Sequence, residues 1–143
     1  MSPVVNRLIV EGRLSRIDRD QQLIDHLLVQ ARLHIESAEL LLKSDDLIAA
    51  HLVAYDAVRK SCTALLASQG LRPTSRGGHH ALFECIAEVS AELHEYFPDL
   101  DTLRRQRNSY EYPSFAGHAP TELLITQAIA LAKFVLLTVN IIL

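Results

Sequence analysis

DQQLIDHLLVQARLHIESAELLLKSDDLIAAHLVAYDAVRKSCTALLASQG, residues 20–70, carries one pattern twice. Ile24, Leu28, Ala31, Ile35, Ala38 and Leu42 recur in steps of four and three, which places them on one face of a helix from about Asp20 to Lys43. Leu47, His51, Ala54, Val58, Cys62 and Leu65 repeat the stripe. Between the two runs, Ser44-Asp45-Asp46 supplies a break and an N-cap, because a short polar side chain accepts hydrogen bonds from the free amides of the next first turn. So short a connection makes the two helices antiparallel neighbours. Ala49, Ala50, Ala54, Ala57 and Ala64 permit close approach, and Gly70 stands where a left-handed residue ends the second helix.

Downstream, Leu71-Arg72-Pro73-Thr74-Ser75-Arg76-Gly77-Gly78 reads as a loop, with proline, a glycine pair and small polar residues. A third helix is predicted from about His79, carrying Leu82, Ile86, Val89 and Leu93, until Pro98 disfavours helical geometry at Phe97. A short fourth helix runs from about Asp99 to Glu111, opened by Asp99 or Asp101 and closed ahead of Pro113. A loop containing Gly117 and Pro120 leads to a fifth, from about Thr121 to the end. Residues 1–17 hold Gly12 and no long apolar stripe, and read as a mobile arm or a short helix ahead of a bundle spanning 18–143. No strand pattern competes, so the expectation is an all-α fold, an up-and-down bundle of four to five antiparallel helices.

With 143 residues, the chain has the size of one domain that needs no metal or disulfide staple. Its net charge of −3 gives no overall basic field for nucleic acid, so such binding requires a local patch, and Arg104, Arg105 and Arg107 form the one tight basic cluster. Cys62 and Cys85 fall in apolar rows and read as buried free thiols of a cytoplasmic protein. The N-terminus lacks the apolar stretch of a secretory signal. Leu123 to Leu143 is about long enough to span a bilayer, but Gln127, Lys133 and Asn140 interrupt it, with the lysine near its middle. A helix buried in the bundle or at a dimer interface is expected there, with no membrane.

The fourth helix contains a conflict. Its stripe begins with Leu100 and Leu103, and the next position on that face is Arg107, followed by Tyr110. A cation directed at a bundle or dimer seam must be paired or partly wet, since burying it alone costs several kcal/mol. The segment Leu103-Arg104-Arg105-Gln106-Arg107-Asn108-Ser109-Tyr110-Glu111-Tyr112-Pro113 resembles the signature of HEPN domains (higher eukaryotes and prokaryotes nucleotide-binding): arginine, a polar residue, three variable residues and histidine. Arg107 and Asn108 match its first two positions, while Tyr112 occupies the place of the histidine. Residues 49–60, Gly70, and Gly78-His79 are similar to the family's second helix and following loop.

That resemblance implies a homodimer whose arginine segments face each other across a cleft that binds RNA or a nucleotide. In active members it is a metal-independent ribonuclease, often a toxin beside a nucleotidyltransferase-type antitoxin, with no cofactor. It assigns Arg107, Asn108 and Tyr112 to the catalytic positions; with Arg107 facing a cleft, Arg104 and Arg105 extend a local positive strip and, with Tyr110, are the expected RNA- or nucleotide-binding residues. Cleavage through the 2′-hydroxyl needs a general base and stabilisation of charge on the phosphate. Arginine supplies the second, whereas a tyrosine of ordinary pKa is a poor base at neutral pH. Glu111, one turn beyond Arg107, is placed either to act as base or to pair with the arginine and silence it; the pairing is favoured. His118 stands in the following loop, where a proton shuttle and a solvated surface residue are the two readings. The alternative function is a non-catalytic module of the same fold that docks or dimerises with a partner protein. Arg104 and Arg105 also have a plain reading: cations near a helix C-terminus with Asp99 and Asp101 as partners.

Two further constellations are weaker. His26, His51 and His80 could converge on a metal in a bundle, yet no HExxH or paired ExxH spacing is present and no metal is expected. The Arg72, Arg76, Gly77, Gly78 loop lacks the ordered glycine-lysine spacing of a phosphate loop; it reads as a mobile rim that helps hold RNA or as a plain surface loop, with the plain loop favoured.

Overall fold

The structure is a computed structural model and describes residues 2–112 and 119–143. Among the described residues the chain forms seven helices and one two-stranded sheet: α1 (Pro3–Val10), β1 (Leu14–Arg16), α2 (Gln21–Lys43), α3 (Leu47–Ser68), β2 (Leu71–Pro73), α4 (Gly78–Val89), α5 (Ala91–His94), α6 (Phe97–Glu111) and α7 (Glu122–Ile142).

The two long helices form where their caps and stripes predict. The Asp20 carboxylate accepts from the Gln22 and Leu23 amides at the start of α2, and Asp46 accepts from the Ala49 amide at the start of α3. Asp45 turns the chain between them through a left-handed conformation with φ 67°. The stripe alanines Ala31, Ala38, Ala50, Ala54 and Ala57 have no exposed surface, so α2 and α3 approach closely along an alanine seam. Gly70 ends the α3 turn with φ 73°, and a Cβ there would lie 3.1 Å from the Ile17 carbonyl oxygen. Losing a cap carboxylate of this kind costs about 1 kcal/mol. Asp46→Ala is therefore expected to lower unfolding stability by about that amount, read as a reduced urea midpoint with an unchanged slope.

The third long helix, α7, begins on the Thr121 hydroxyl, which accepts from the Leu124 amide. It buries Ile125, Ala128, Ile129, Ala132, Val135 and Val139 in the same core as α2 and α3. By length and composition α7 could cross a membrane. Its Lys133 instead pairs with Glu39 of α2 at 3.0 Å, while Leu137 and Ile141 face outward.

Two local expectations are corrected and one open alternative is decided. First, a small sheet exists: β1 and β2 run antiparallel with Leu14 opposite Pro73 and Arg16 opposite Leu71, so the expected loop begins as a strand. Three-residue strands are too short to display alternation, and only Leu14 and Leu71 are buried. Second, of the two readings for the N-terminal residues, the short helix forms: the Ser2 hydroxyl accepts from the Val5 amide, and Val5 and Leu8 enter the core. Arg7 ties this helix to Glu11 and to Glu84 of α4. Third, the expected third helix breaks at Ser90, whose hydroxyl accepts from the Leu93 amide and starts α5. Pro98 opens α6 instead of closing the helix before it, since the first helical turn has no use for the amide that proline lacks.

Candidate functional site

The arginine on the leucine stripe marks where the core of α6 meets water. Leu100 and Leu103 are buried, and one turn later the Arg107 side chain is 25% exposed. Its guanidinium carbon lies 5.7 Å from the centre of the Tyr55 ring, close enough for cation–π attraction. On its other side Nη2 pairs with the Glu111 carboxylate at 2.6 Å, and Nη1 donates to the Asn108 side-chain oxygen at 3.3 Å. The conflict is thus resolved by an aromatic face beneath the cation and a carboxylate on its wet side.

Tyr55 comes from the middle of α3 and is fully buried. Its ring meets Phe83 edge-on at 6.0 Å, and its hydroxyl is 2.6 Å from Nδ1 of His79, the second residue of α4. Burial pushes the phenol well above its ordinary pKa, so Tyr55 stays protonated. His79 is held below the ordinary imidazole range, first by burial, then by Arg59 and Arg107, with Asp56 opposing and Arg104 adding to the depression. It is a neutral imidazole at neutral pH.

A cleft of about 340 Å³ opens beside this pair, lined by Gly77, Gly78, His79, His80, Arg104 and Asn108. Arg104 is fixed there by Asp101, to which it donates from Nε at 3.1 Å and Nη2 at 2.8 Å. The Arg104 hydrogen bonds hold the Asp101 carboxyl below its ordinary pKa. Arg105 reaches the same aspartate at 3.3 Å but is mostly exposed.

The six sequence-predicted residues therefore divide. Arg104 and Asn108, four apart, line the cleft next to α4, while Arg107 is not among its lining residues and stacks on Tyr55 beside Asn108. Arg105 and Tyr110 line a second cleft of about 440 Å³ on another face of α6, with Gln106 and Leu124. Tyr110 sets its ring edge-on to His51 at 4.9 Å. His51 is fully buried and bonds Gln106 at 3.2 Å through Nε2, and burial keeps it neutral. Tyr112 follows α6 and is 72% exposed; its amide donates to the Asn108 carbonyl. His118 lies outside the described residues.

The histidines considered for a metal do not converge: His26 is exposed, His51 faces Gln106, and His80 lies 3.8 Å from Glu84. Among the described residues no group of three His, Cys, Asp or Glu side chains could hold an ion. Cys62 and Cys85 are buried thiols pushed up to about 12 by burial, which leaves little nucleophilic thiolate.

Two site residues escaped the sequence reading. Tyr55 lies on the buried face of α3, and His79 was read as a helix start; they meet across 24 residues. The one local signal was a histidine set directly after a glycine pair and before an apolar run.

The sequence model of the HEPN domain family matches residues 24–142. No curated protein matches the chain significantly.

Proposed function

The chain belongs to the HEPN domain family, and from that premise we propose that it binds RNA or a nucleotide through its phosphates at Arg107 and the neighbouring cleft lined by Arg104 and Asn108. In this reading it works in the cytoplasm as a homodimer, the two Arg107 segments opening into one groove. It is a toxin-like, metal-independent ribonuclease with a nucleotidyltransferase-type partner. The single observation that carries the reading is the Arg107 guanidinium, seated over Tyr55 and closed by a carboxylate of its own helix. The Glu111 carboxylate stands where a phosphate would: it is singly charged like a phosphodiester, 2.6 Å from Nη2, and partly exposed. A phosphodiester that displaces them inherits a preformed planar donor fork.

A second reading is a non-catalytic docking module for a partner protein, and it is favoured by the same ion pair, which satisfies Arg107 without any ligand. The two separate on one measurement. A fluorescent single-stranded oligoribonucleotide is titrated at several salt concentrations; the phosphate-binding reading expects saturable binding that weakens as salt rises. Glu111→Gln removes the competing carboxylate and is expected to tighten binding roughly two- to fivefold, the scale of an exposed ion pair. No saturable binding in either chain leaves the docking module.

A further inference from the structure

We infer that His79, held by Tyr55, is the acid–base group of this cleft and acts on the 2′-hydroxyl of a bound RNA phosphodiester. The inference rests on the phosphate-binding reading above and assigns the proton transfer that the Tyr112 position cannot perform. Tyr112 is exposed beyond the end of α6, with only its amide hydrogen-bonded back to the helix. Glu111 is engaged by Arg107.

Of the other described histidines, His80 also lines the cleft but lies toward Glu84, and the rest are not among its lining residues. His51 is sealed against Gln106, His34 sits 2.7 Å from the Lys60 ammonium, and His94 contacts the Ala87 carbonyl oxygen at 2.7 Å. His80 lies toward Glu84 and sets its ring edge-on to Phe97. His26 is exposed on α2. His79 alone among them both lines the cleft with Arg104 and Asn108 and is fixed through one nitrogen.

That fixing matters. With Nδ1 taken by the Tyr55 hydroxyl, Nε2 is the nitrogen available to a ligand. When Nδ1–H donates to the phenolic oxygen, Nε2 carries the free lone pair, and the imidazolium formed on protonation keeps the same contact. The groups facing the ring are Tyr55, Asp56 and Arg59 from α3 and Arg104 and Arg107 from α6, with His80 its neighbour on α4. Burial first, and then the cationic majority, keeps the ring neutral and base-competent.

The step balances within the RNA. The 2′-oxygen gives its proton to Nε2 and forms a bond to phosphorus, the bond from phosphorus to the 5′-oxygen breaks, and that oxygen takes a proton from water. The products are a 2′,3′-cyclic phosphate and a 5′-hydroxyl. His79 then returns its proton to solvent. Arg104 and Arg107 bear the charge that builds on the phosphate oxygens. Tyr55 is a positioning residue: its hydroxyl acts through His79, and its ring, which Tyr55→Phe keeps, lies under Arg107.

The test uses the whole chain, a labelled oligoribonucleotide for cleavage, and its all-2′-deoxy analogue for binding. His79→Gln is expected to lower the cleavage rate at least about a hundredfold while the analogue binds within about twofold. His79→Ala is expected to regain cleavage with added imidazole. The acid limb of kcat/KM, which reports the free enzyme, is expected below the ordinary imidazole pKa of about 6.5. The sign follows from the base role: protonation removes the lone pair, so the rate falls as pH drops through the His79 pKa. Tyr55→Phe is expected to displace that limb with little change in analogue binding. Cleavage by His79→Gln at the wild-type rate overturns the assignment, as does a wild-type chain that binds the analogue and cleaves nothing, which leaves phosphate binding standing. Failure of the wild type to bind overturns both.

Discussion

Arg107→Ala is expected to cut oligoribonucleotide cleavage by about a hundred- to a thousandfold, the range for removing one charge-stabilising donor from a preorganised site. The reason is geometric as much as electrostatic. The guanidinium is held between the Tyr55 ring and Glu111, so its donors need little reordering when a phosphate arrives. Arg107→Lys keeps the charge but loses the planar fork and stacks less well, and is expected to fall between the two. Neither change removes a core side chain, because Arg107 is itself one-quarter exposed while Leu100, Leu103 and Tyr55 are kept. Helicity and the thermal midpoint should therefore stay near wild type while turnover falls. Unchanged binding and turnover in Arg107→Ala would remove the arginine cleft from consideration, and the exposed remainder of α6 would then favour a docking module.

The difference between what was legible and what was not lies in the range over which each signal acts. The pairing of α2 with α3 is local: Asp20 and Asp46 cap their own helices, and the alanine stripe needs only a 3.6-residue period to be seen. The conflict at Arg107 was visible for the same reason, since Leu100 and Leu103 define the row that it interrupts. The compensation was only half visible. Glu111 is one turn away on the same helix and was named as a partner, whereas the Tyr55 ring comes from α3 and leaves no periodic trace in α6. The segment β1 was missed because it gains its partner β2 only once the intervening helices have folded back. Pro98 was misread because proline is compatible with a helix start and with the break before one.

That missed segment has a mechanical consequence, and Gly77→Ala measures it. Gly77 is buried with φ −78° and ψ −40°, a conformation any residue adopts, so its need for glycine is spatial. A Cβ there would collide with the Arg13 backbone carbonyl oxygen and stand 2.9 Å from the Ala81 Cβ. Arg13 cannot simply retreat. Its carbonyl accepts from the Thr74 amide at 3.0 Å, and the Thr74 hydroxyl donates to the neighbouring Gly12 carbonyl at 2.6 Å. The strain must therefore be taken up by the start of α4, two residues before His79. Overpacking of this kind costs about 1–3 kcal/mol, and Gly77→Ala is expected to lower the midpoint by roughly 3–10 °C in a domain of this size. Gly78→Ala is the control: Gly78 has φ 60° and open space around its Cβ position, so only backbone strain is added, about 1 kcal/mol. Calorimetry of the two variants should rank Gly77→Ala as the less stable. If His79 is the base, Gly77→Ala should also lose more cleavage than binding of the deoxy analogue, because shifting α4 draws the imidazole from Tyr55 while Arg104 and Arg107 stay on α6. A Gly78→Ala chain as unstable as Gly77→Ala would show that backbone strain, and not the contact with Arg13, sets the geometry of this corner.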